Sequence, residues 1–500
     1  MMRAQLRILQ VSAEIFPLLK TGGLADIAGA LPAALKTAGC DVRLLLPGFA
    51  PILENLRQSS VLAQLVAPWG DVVTLRQGHL EALNCHAYII DAPALYLRAG
   101  SPYEDAQRKP YADNCRRFAL LGWVAAQLAY SPDTLTMPDN WQPHVVHSHD
   151  WHAGLSPAYV AYLSYARGAQ TRRVACLHTV HNLAYQGVFP ASNFAELGLP
   201  ASAFAVNGLE FHGQISFMKA GLYYADAIST VSPTYAQEIQ TAEQGCGLDG
   251  LLRARNAVLT GVLNAVDETV WNPAIDGLLQ AVYSVEKLGG KAKCKAALQK
   301  QMGLSLKKSA PLFSIVSRLT EQKGMHLAIA AIDDVVAQGG QLVVLGNGDA
   351  ALENALKQYA DAYPKSVAVR LGYDEAFAHQ VFAASDVTLV PSRFEPCGLT
   401  QMYGLKYGSL PLVHHVGGLA DTVVDCSLEN LADGTANGFV FNDFTQSQFN
   451  AAMRRAFALY ARADEWAHVQ ARAMAQSFNW DSSAAKYLTI YNEIAPTKSI

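Results

Sequence analysis

The sequence predicts an α/β protein made of two doubly wound domains with parallel sheets, and three observations carry that expectation. Five hundred residues exceed what one ordinary hydrophobic core organises. Two regions of the chain alternate short β-rich runs with amphipathic helical runs, the rhythm of βαβ units. The phrase GGLAD occurs in both regions, as Gly22–Asp26 and as Gly417–Asp421, each time between a strand-like and a helix-like run. Two Rossmann-like domains of this kind are expected to face each other across a cleft. Ligands in such sheets bind beyond the carboxyl ends of the strands.

The elements follow in order. LRILQVSAE reads as a buried first strand, ADIAGALPAALKTAG as a helix and DVRLLLPG as the next parallel strand. Leu24, Ile27, Ala28, Leu31 and Leu35 recur at helical spacing, and Gly39 stands where that helix would stop. HVVHSHD, RRVACLHTV and ADAISTVS are further strands. From about Pro311 the rhythm repeats through PLFSIVSRL, QLVVLG, VAVRLG, DVTLVPS and LPLVHH. Between the regions, Asn264 to Ala310 carries seven lysines, and KAKCKAALQKQMGL reads as an exposed helix whose lysines form a solvated face. The predicted domains are 1–262 and 263–480, with 481–500 a helix crossing back to the first domain.

Composition sets the class. Half the residues are apolar and 16% are charged, as in globular proteins. A net charge of −4 and a pI near 6.4 lack the basic footprint of a nucleic-acid binder. Eight cysteines without a CxxC pair fit a reducing compartment, so a cytoplasmic location is expected. Glu14 interrupts the apolar run of the N-terminus and no cleavage site follows, which favours a strand over a signal peptide. No run of 18 apolar residues predicts a membrane span.

Four strings carry candidate chemistry. In KTGGLAD, Gly22 and Gly23 let backbone amides approach an anion, and Lys20 adds a charge. A plain βα turn with an exposed lysine explains the string equally well. SRLTEQKG places Arg318 and Lys323 at a strand end, where they could neutralise a diphosphate or simply be solvated. RFEPCGLTQMYGLKYG puts Glu395 on a strand-to-helix turn, with Pro396 in the first helical turn and helix from Gly398 to Tyr407. That carboxylate could bind sugar hydroxyls or cap the helix. Cys397 has no readable histidine partner and is not read as a nucleophile. HSHDWH offers His147, His149 and His152 to a metal, the basis of an alternative reading as a metal-dependent hydrolase. On a strand His147 and His149 share one face and Asp150 takes the other, and a polar strand end is the preferred reading.

Taken together, KTGGLADIAGALP, SPYED, HSHDWHAGL, HTVHNLAYQG, SRLTEQKG, LGYDE, SRFEPCGLTQMYGLKYG and GGLADTVVDCSLENLADG resemble the bacterial glycogen synthase and plant starch synthase family. They run in order through nearly the whole chain. The resemblance implies a GT-B fold and retaining transfer of glucose from ADP-glucose to the non-reducing end of an α-1,4-glucan such as glycogen, with UDP-glucose the alternative donor. It implies no cofactor, no metal for donor binding, and no nucleic-acid or membrane partner. Lys20, Gly22 and Gly23 would lie by the diphosphate from the first domain, and Arg318 and Lys323 from the second. Glu395, Cys397, Gly398 and Leu399 would surround donor glucose and phosphate, and Thr400 would contact a phosphate. His181 would lie beside the reacting carbon. Asp150, Glu14 and Tyr103 would line the sugar and acceptor side, and Asp26, Gly372 and Tyr373 the nucleotide or ribose.

Three departures stand out against the family pattern. His414, His415 and Val416 replace the usual Arg-Arg-Thr before the second GGLAD, whose Gly417 and Gly418 are then read as shaping a turn only. NAVD at 264–267 replaces NGxD. Tyr403 occupies the place of the second glutamate found in many retaining GT-B enzymes, as expected within this family.

Overall fold

The structure is a computed structural model that describes residues 5–130, 140–168 and 173–495. It forms two compact units, one from the described residues of Met1–Asn264 and Trp480–Ile500, the other from Ala265–Asn479.

The first unit is built on strands β1 (Arg7–Val11), β2 (Asp41–Pro47), β3 (Leu56–Val66), β4 (Val72–Leu80), β5 (Cys85–Asp91), β6 (Val145–His149) and β7 (Ala175–Val180). A small separate sheet follows, of β8 (Val188–Pro190), β9 (Glu210–Phe211) and β10 (Gln214–Ser216), and then β11 (Ala227–Thr230) and β12 (Leu259–Gly261) return to the main sheet. Spatial order in the main sheet is β12-β11-β7-β6-β1-β2-β5-β4-β3. Pairing is parallel from β12 to β5, as crossover helices require, but β5-β4-β3 is antiparallel. The parallel reading missed this edge because the turns there are tight. Ala67 N donates to Asp71 O at 2.8 Å and Asn84 N to Glu81 O at 3.1 Å, and such short connections join only antiparallel neighbours.

Every residue of β6 and β7 is buried, as expected of central strands covered on both faces. The helix Gly23–Thr37 lays Leu24, Ile27, Ala28, Leu31 and Leu35 against the core. The helix Trp480–Ile494 packs on it within the first unit and buries Tyr487 and Tyr491.

The second unit holds β13 (Leu312–Val316), β14 (Gln341–Gly346), β15 (Val367–Leu371), β16 (Val387–Val390), β17 (Leu410–His414) and β18 (Phe439–Phe441), all parallel, in the order β15-β14-β13-β16-β17-β18. The lysine-rich segment is helical over Gly289–Gln301, yet its lysines are not all solvated. Lys291 and Lys295 are buried. Lys291 Nζ donates to Ser385 O at 2.8 Å, Tyr407 O at 2.9 Å and Ala383 O at 3.1 Å, carbonyls at the ends of helices Glu375–Ala384 and Thr400–Lys406. Helix C-termini leave carbonyls unpaired and attract cations, so this ammonium caps two helices at once. Burial draws its pKa down to about 8. Among the described residues no helix is long and apolar enough to cross a membrane.

Candidate active site

In the second unit, the loops after β13 and β16 are locked to each other. Arg393 N donates to Gln322 O at 2.8 Å, Lys323 Nζ reaches Glu395 Oε2 at 2.5 Å, and Ser392 Oγ donates to the same oxygen at 2.8 Å. Glu395 is buried, so its charge is held by an ammonium and a hydroxyl rather than by water. Arg318 is exposed at the end of β13, and its guanidinium has no partner among the described residues.

The helix after Glu395 begins later than its sequence suggests. It spans Thr400–Lys406, with Leu399 before it and Pro396 outside. Gly398 takes a left-handed φ of +70°, which a continuing helix cannot accommodate. Gln401 Nε2 donates back to Cys397 O at 3.1 Å and Gly398 O at 2.9 Å, tying the turn down. Glu395 is not the helix cap; its carboxylate is committed to Lys323 and Ser392. Cys397 is buried, and Leu399 and Thr400 are half-buried. Gly372 and Tyr373 follow β15, where Gly372 N donates to Gly346 O at 3.1 Å and the exposed Tyr373 hydroxyl donates to Glu375 at 2.6 Å.

The second GGLAD does more than shape a turn. Gly418 N donates to Glu395 O at 3.1 Å, and a Cβ on Gly417 or Gly418 would collide with the carbonyl oxygen of Glu395 or Cys397 respectively. The pair therefore backs the Glu395–Cys397 turn by close backbone approach. By contrast, a Cβ on Gly22 or Gly23 would meet nothing within 4 Å.

In the first unit, Lys20 forms an ion pair with Asp26 at 2.7 Å. Of the two glycine amides read as anion donors, that of Gly22 faces a carboxylate of the chain itself at 3.3 Å: Glu14, which also accepts from Thr21 N at 2.5 Å, Thr21 Oγ1 at 2.5 Å and the Tyr103 hydroxyl. Glu14 and Tyr103 thus belong with the glycine loop. Burial first, then Glu14, pushes the Tyr103 pKa far up. The Tyr103 ring stacks on His152 with centroids 4.5 Å apart.

Five histidines gather on and just beyond β6 and β7: His147 and His149 on β6, His178 on β7, and His152 and His181 past their ends, all buried. His147 and His149 do share a face, with ring centroids 4.1 Å apart. Asp150 is not on the opposite face; it lies past the end of β6 at φ 55° and ψ −178°, a backbone conformation costly for any residue but glycine. Its Oδ1 holds it there by accepting from His181 N at 2.9 Å and Asn182 N at 3.3 Å. Burial lifts the Asp150 pKa to about 7 against those two bonds. Burial also drops His152, His178 and His181 to about 3 and sends His147 and His149 well down. His147 spends its nitrogens on Tyr491 and Thr179, at 2.8 and 2.6 Å, and His149 Nδ1 lies 3.0 Å from His181 Nε2. Among the described residues no three acidic, histidine or cysteine side chains converge as a metal-ligand set, so the HSHDWH string does not form the site that the hydrolase reading needs.

Sequence reasoning passed over Trp271, which lies flat between His379 and Tyr403 with centroids 3.7 and 3.8 Å away. Tyr403 is thereby part of an aromatic stack. The WNP string and an aromatic on a short helix were the only cues.

Two α/β units with these loops at the carboxyl ends of their strands are those of a GT-B glycosyltransferase. Residues 7–254 match the starch synthase catalytic domain family and residues 299–469 match the glycosyl transferases group 1 family. The chain is 59% identical to a glycogen synthase of Variovorax paradoxus over 98% of its own length and 99% of the relative's. It is 56% identical to a glycogen synthase of Leptothrix cholodnii over 98% and 100%. The catalytic domain of starch synthase IV from Arabidopsis thaliana, solved with ADP and acarbose, superposes with a TM-score of 0.87 at 31% identity, covering 98% of this chain and all of that one. The chain belongs to the glycogen synthase family.

Proposed function

We propose that the chain moves glucose from ADP-glucose to the non-reducing end of an α-1,4-glucan, with retention of the anomeric configuration, in the cytoplasm and without a metal or other cofactor. The observation that carries this reading is the Lys323–Glu395–Ser392 cluster at the ends of β13 and β16, with the exposed Arg318 also following β13 and its guanidinium without a partner among the described residues. Transfer breaks the bond from the glucose C1 to the diphosphate oxygen and forms one from C1 to the acceptor 4-oxygen. The acceptor proton leaves on the departing phosphate. Negative charge grows on the diphosphate, and fixed cations such as Arg318 and Lys323 oppose it, each such group being worth roughly 3 kcal/mol.

In the second unit Glu395 accepts from sugar hydroxyls, the Cys397–Thr400 turn lies along glucose and phosphate, and Gly372 and Tyr373 take the nucleotide side. In the first unit Lys20, Gly22 and Gly23 serve the diphosphate, Asp26 the nucleotide, Glu14 and Tyr103 the acceptor side. Asp150 orders the backbone of His181, whose carbonyl faces positive charge on C1. The test supplies ADP-glucose and UDP-glucose separately with glycogen in chelator, and follows nucleotide release and the configuration of the new linkage. Chelator-insensitive release from ADP-glucose with an α-linkage is expected. A strong preference for UDP-glucose overturns the donor, and loss of activity in chelator overturns metal independence.

A further inference from the structure

His414 ends β17 and is buried, and both of its ring nitrogens face carbonyl oxygens. Nδ1 lies 3.0 Å from Ser392 O and Nε2 lies 3.1 Å from Asn442 O. A carbonyl only accepts, and a neutral imidazole has one N–H. In the neutral ring one nitrogen lone pair therefore points at an oxygen lone pair. Only the imidazolium satisfies both contacts. Phe441 stacks on the ring, with centroids 5.2 Å apart and planes 26° apart, and Phe444 lies 5.2 Å off.

The residue that His414 holds by its carbonyl is the one whose hydroxyl bonds Glu395 Oε2, the oxygen that Lys323 shares. We propose that His414 is a positioning residue for the donor site: as an imidazolium it donates to Ser392 and Asn442 together, and so fixes the Ser392 hydroxyl that orients Glu395 beside Lys323.

The charged and titratable groups around it are the adjoining His415, Arg393 next to Ser392 with its guanidinium 4.8 Å over the Phe444 ring, Asp443 after Asn442, His326 against the other edge of Phe444 at 5.6 Å, and the Lys323–Glu395 pair beyond Ser392. Burial draws the His414 pKa below its usual value, against the pull of the Ser392, Asn442 and Arg393 carbonyls, and His415 adds to the lowering. The doubly donating latch therefore belongs to the acid side of the usual imidazole pKa and loses one of its two bonds as pH rises.

The link to turnover rests on the donor-site reading of Glu395 and Lys323; the state of the ring does not. Two measurements separate them. In the unaltered protein with 15N-labelled histidine, NMR is expected to show one His414 nitrogen protonated at pH 8 and both protonated as pH is lowered while the second unit stays folded. A ring that stays neutral until the second unit unfolds overturns the imidazolium. Second, glucosyl transfer is measured across the pH range of that change for the unaltered enzyme and for His414→Arg, which stays charged throughout. The ratio of His414→Arg to unaltered kcat is expected to rise at least about threefold from the acid to the basic side of it, and His414→Gln to fall below the unaltered enzyme on the acid side and approach it on the basic side. Ratios that stay flat with pH in both variants, their melting curves being normal, overturn the positioning role even where the ring titrates as expected.

Discussion

Lys323 Nζ sits 2.5 Å from Glu395 Oε2, so a cation assigned to the donor diphosphate is already paired with a carboxylate assigned to the donor glucose. Lys323 is 18% exposed and Glu395 9% by side chain, which makes the pair largely desolvated. Lys323→Ala is expected to cut turnover on the order of a hundredfold, the scale of one lost transition-state charge partner. It also strands Glu395, at a stability cost below about 3 kcal/mol because Ser392 keeps its bond. Steady-state kinetics with a melting curve checks both, and near-normal turnover in a folded variant removes Lys323 from the site.

The two glycine pairs predict opposite outcomes. Gly418→Ala drives a methyl into the Cys397 carbonyl, so destabilisation at the upper end of about 1–3 kcal/mol and loss of activity are expected. Gly22 has an extended backbone at φ −158° and open space, so Gly22→Ala changes stability by less than about 1 kcal/mol. Its effect is expected in the KM for the sugar nucleotide. Equal melting temperatures for the two variants would contradict the close approach at Gly418.

The buried histidines make the first unit acid-labile. Their folded pKa values lie at about 3 or are driven well down, below the usual 6.5. Between those limits the unfolded chain binds more protons, so stability falls as pH drops from 6.5 towards 3, by about 1.4 kcal/mol per unit for each group. Asp150 works the other way from pH 4 to 7, since its raised pKa favours the folded state while it is protonated. One carboxyl does not offset several imidazoles, and thermal melts below pH 6 are expected to show the first unit lost before the second. A melting temperature independent of pH from 7 to 4 would exclude this.

Asp150 itself titrates across neutrality. Its carboxylate orders the His181 and Asn182 amides, so an ascending limb in kcat near pH 7 is expected as it ionises. Asp150→Asn keeps a side-chain oxygen for the two amides but does not ionise. The limb should flatten in that variant, and a limb of unchanged midpoint would assign the titration elsewhere.

The strands were the legible part of the fold. β7, β13, β14, β16 and β17 lie inside runs of mostly β-branched and apolar residues, because strands covered on both faces leave a nearly continuous apolar signature, and β6 and β15 were legible despite His147, Ser148, His149 and Arg370. Three features left no such mark. The antiparallel β3–β5 edge depends on turn length. Lys291 and Lys295 look like any solvated lysine until two distant helix ends bring carbonyls to the first, and Ala310 O and the Asp386 carboxylate reach the second. The need for glycine at 417 and 418 arises from a loop some twenty residues earlier in the chain, which no local pattern encodes. At the candidate site, motif spacing placed Glu395 on the turn after β16 and Lys323 on the loop after β13 but left Asp150 on the strand, past whose end it lies, whereas the Lys323–Glu395 pairing and the capture of glycine-loop amides by Glu14 are tertiary facts.

The helix Trp480–Ile494 completes a core whose other strands end at Gly261, with Tyr491 bonded to His147 and the whole of Ala265–Asn479 threaded between. During synthesis the intervening unit has all of its residues first, while the earlier one waits with a gap along the helix Gly23–Thr37. Order of assembly is thereby the reverse of order of translation: the first-made unit closes last. A chain halted before residue 480 would carry one finished unit and one with an open apolar flank, a natural target for chaperones.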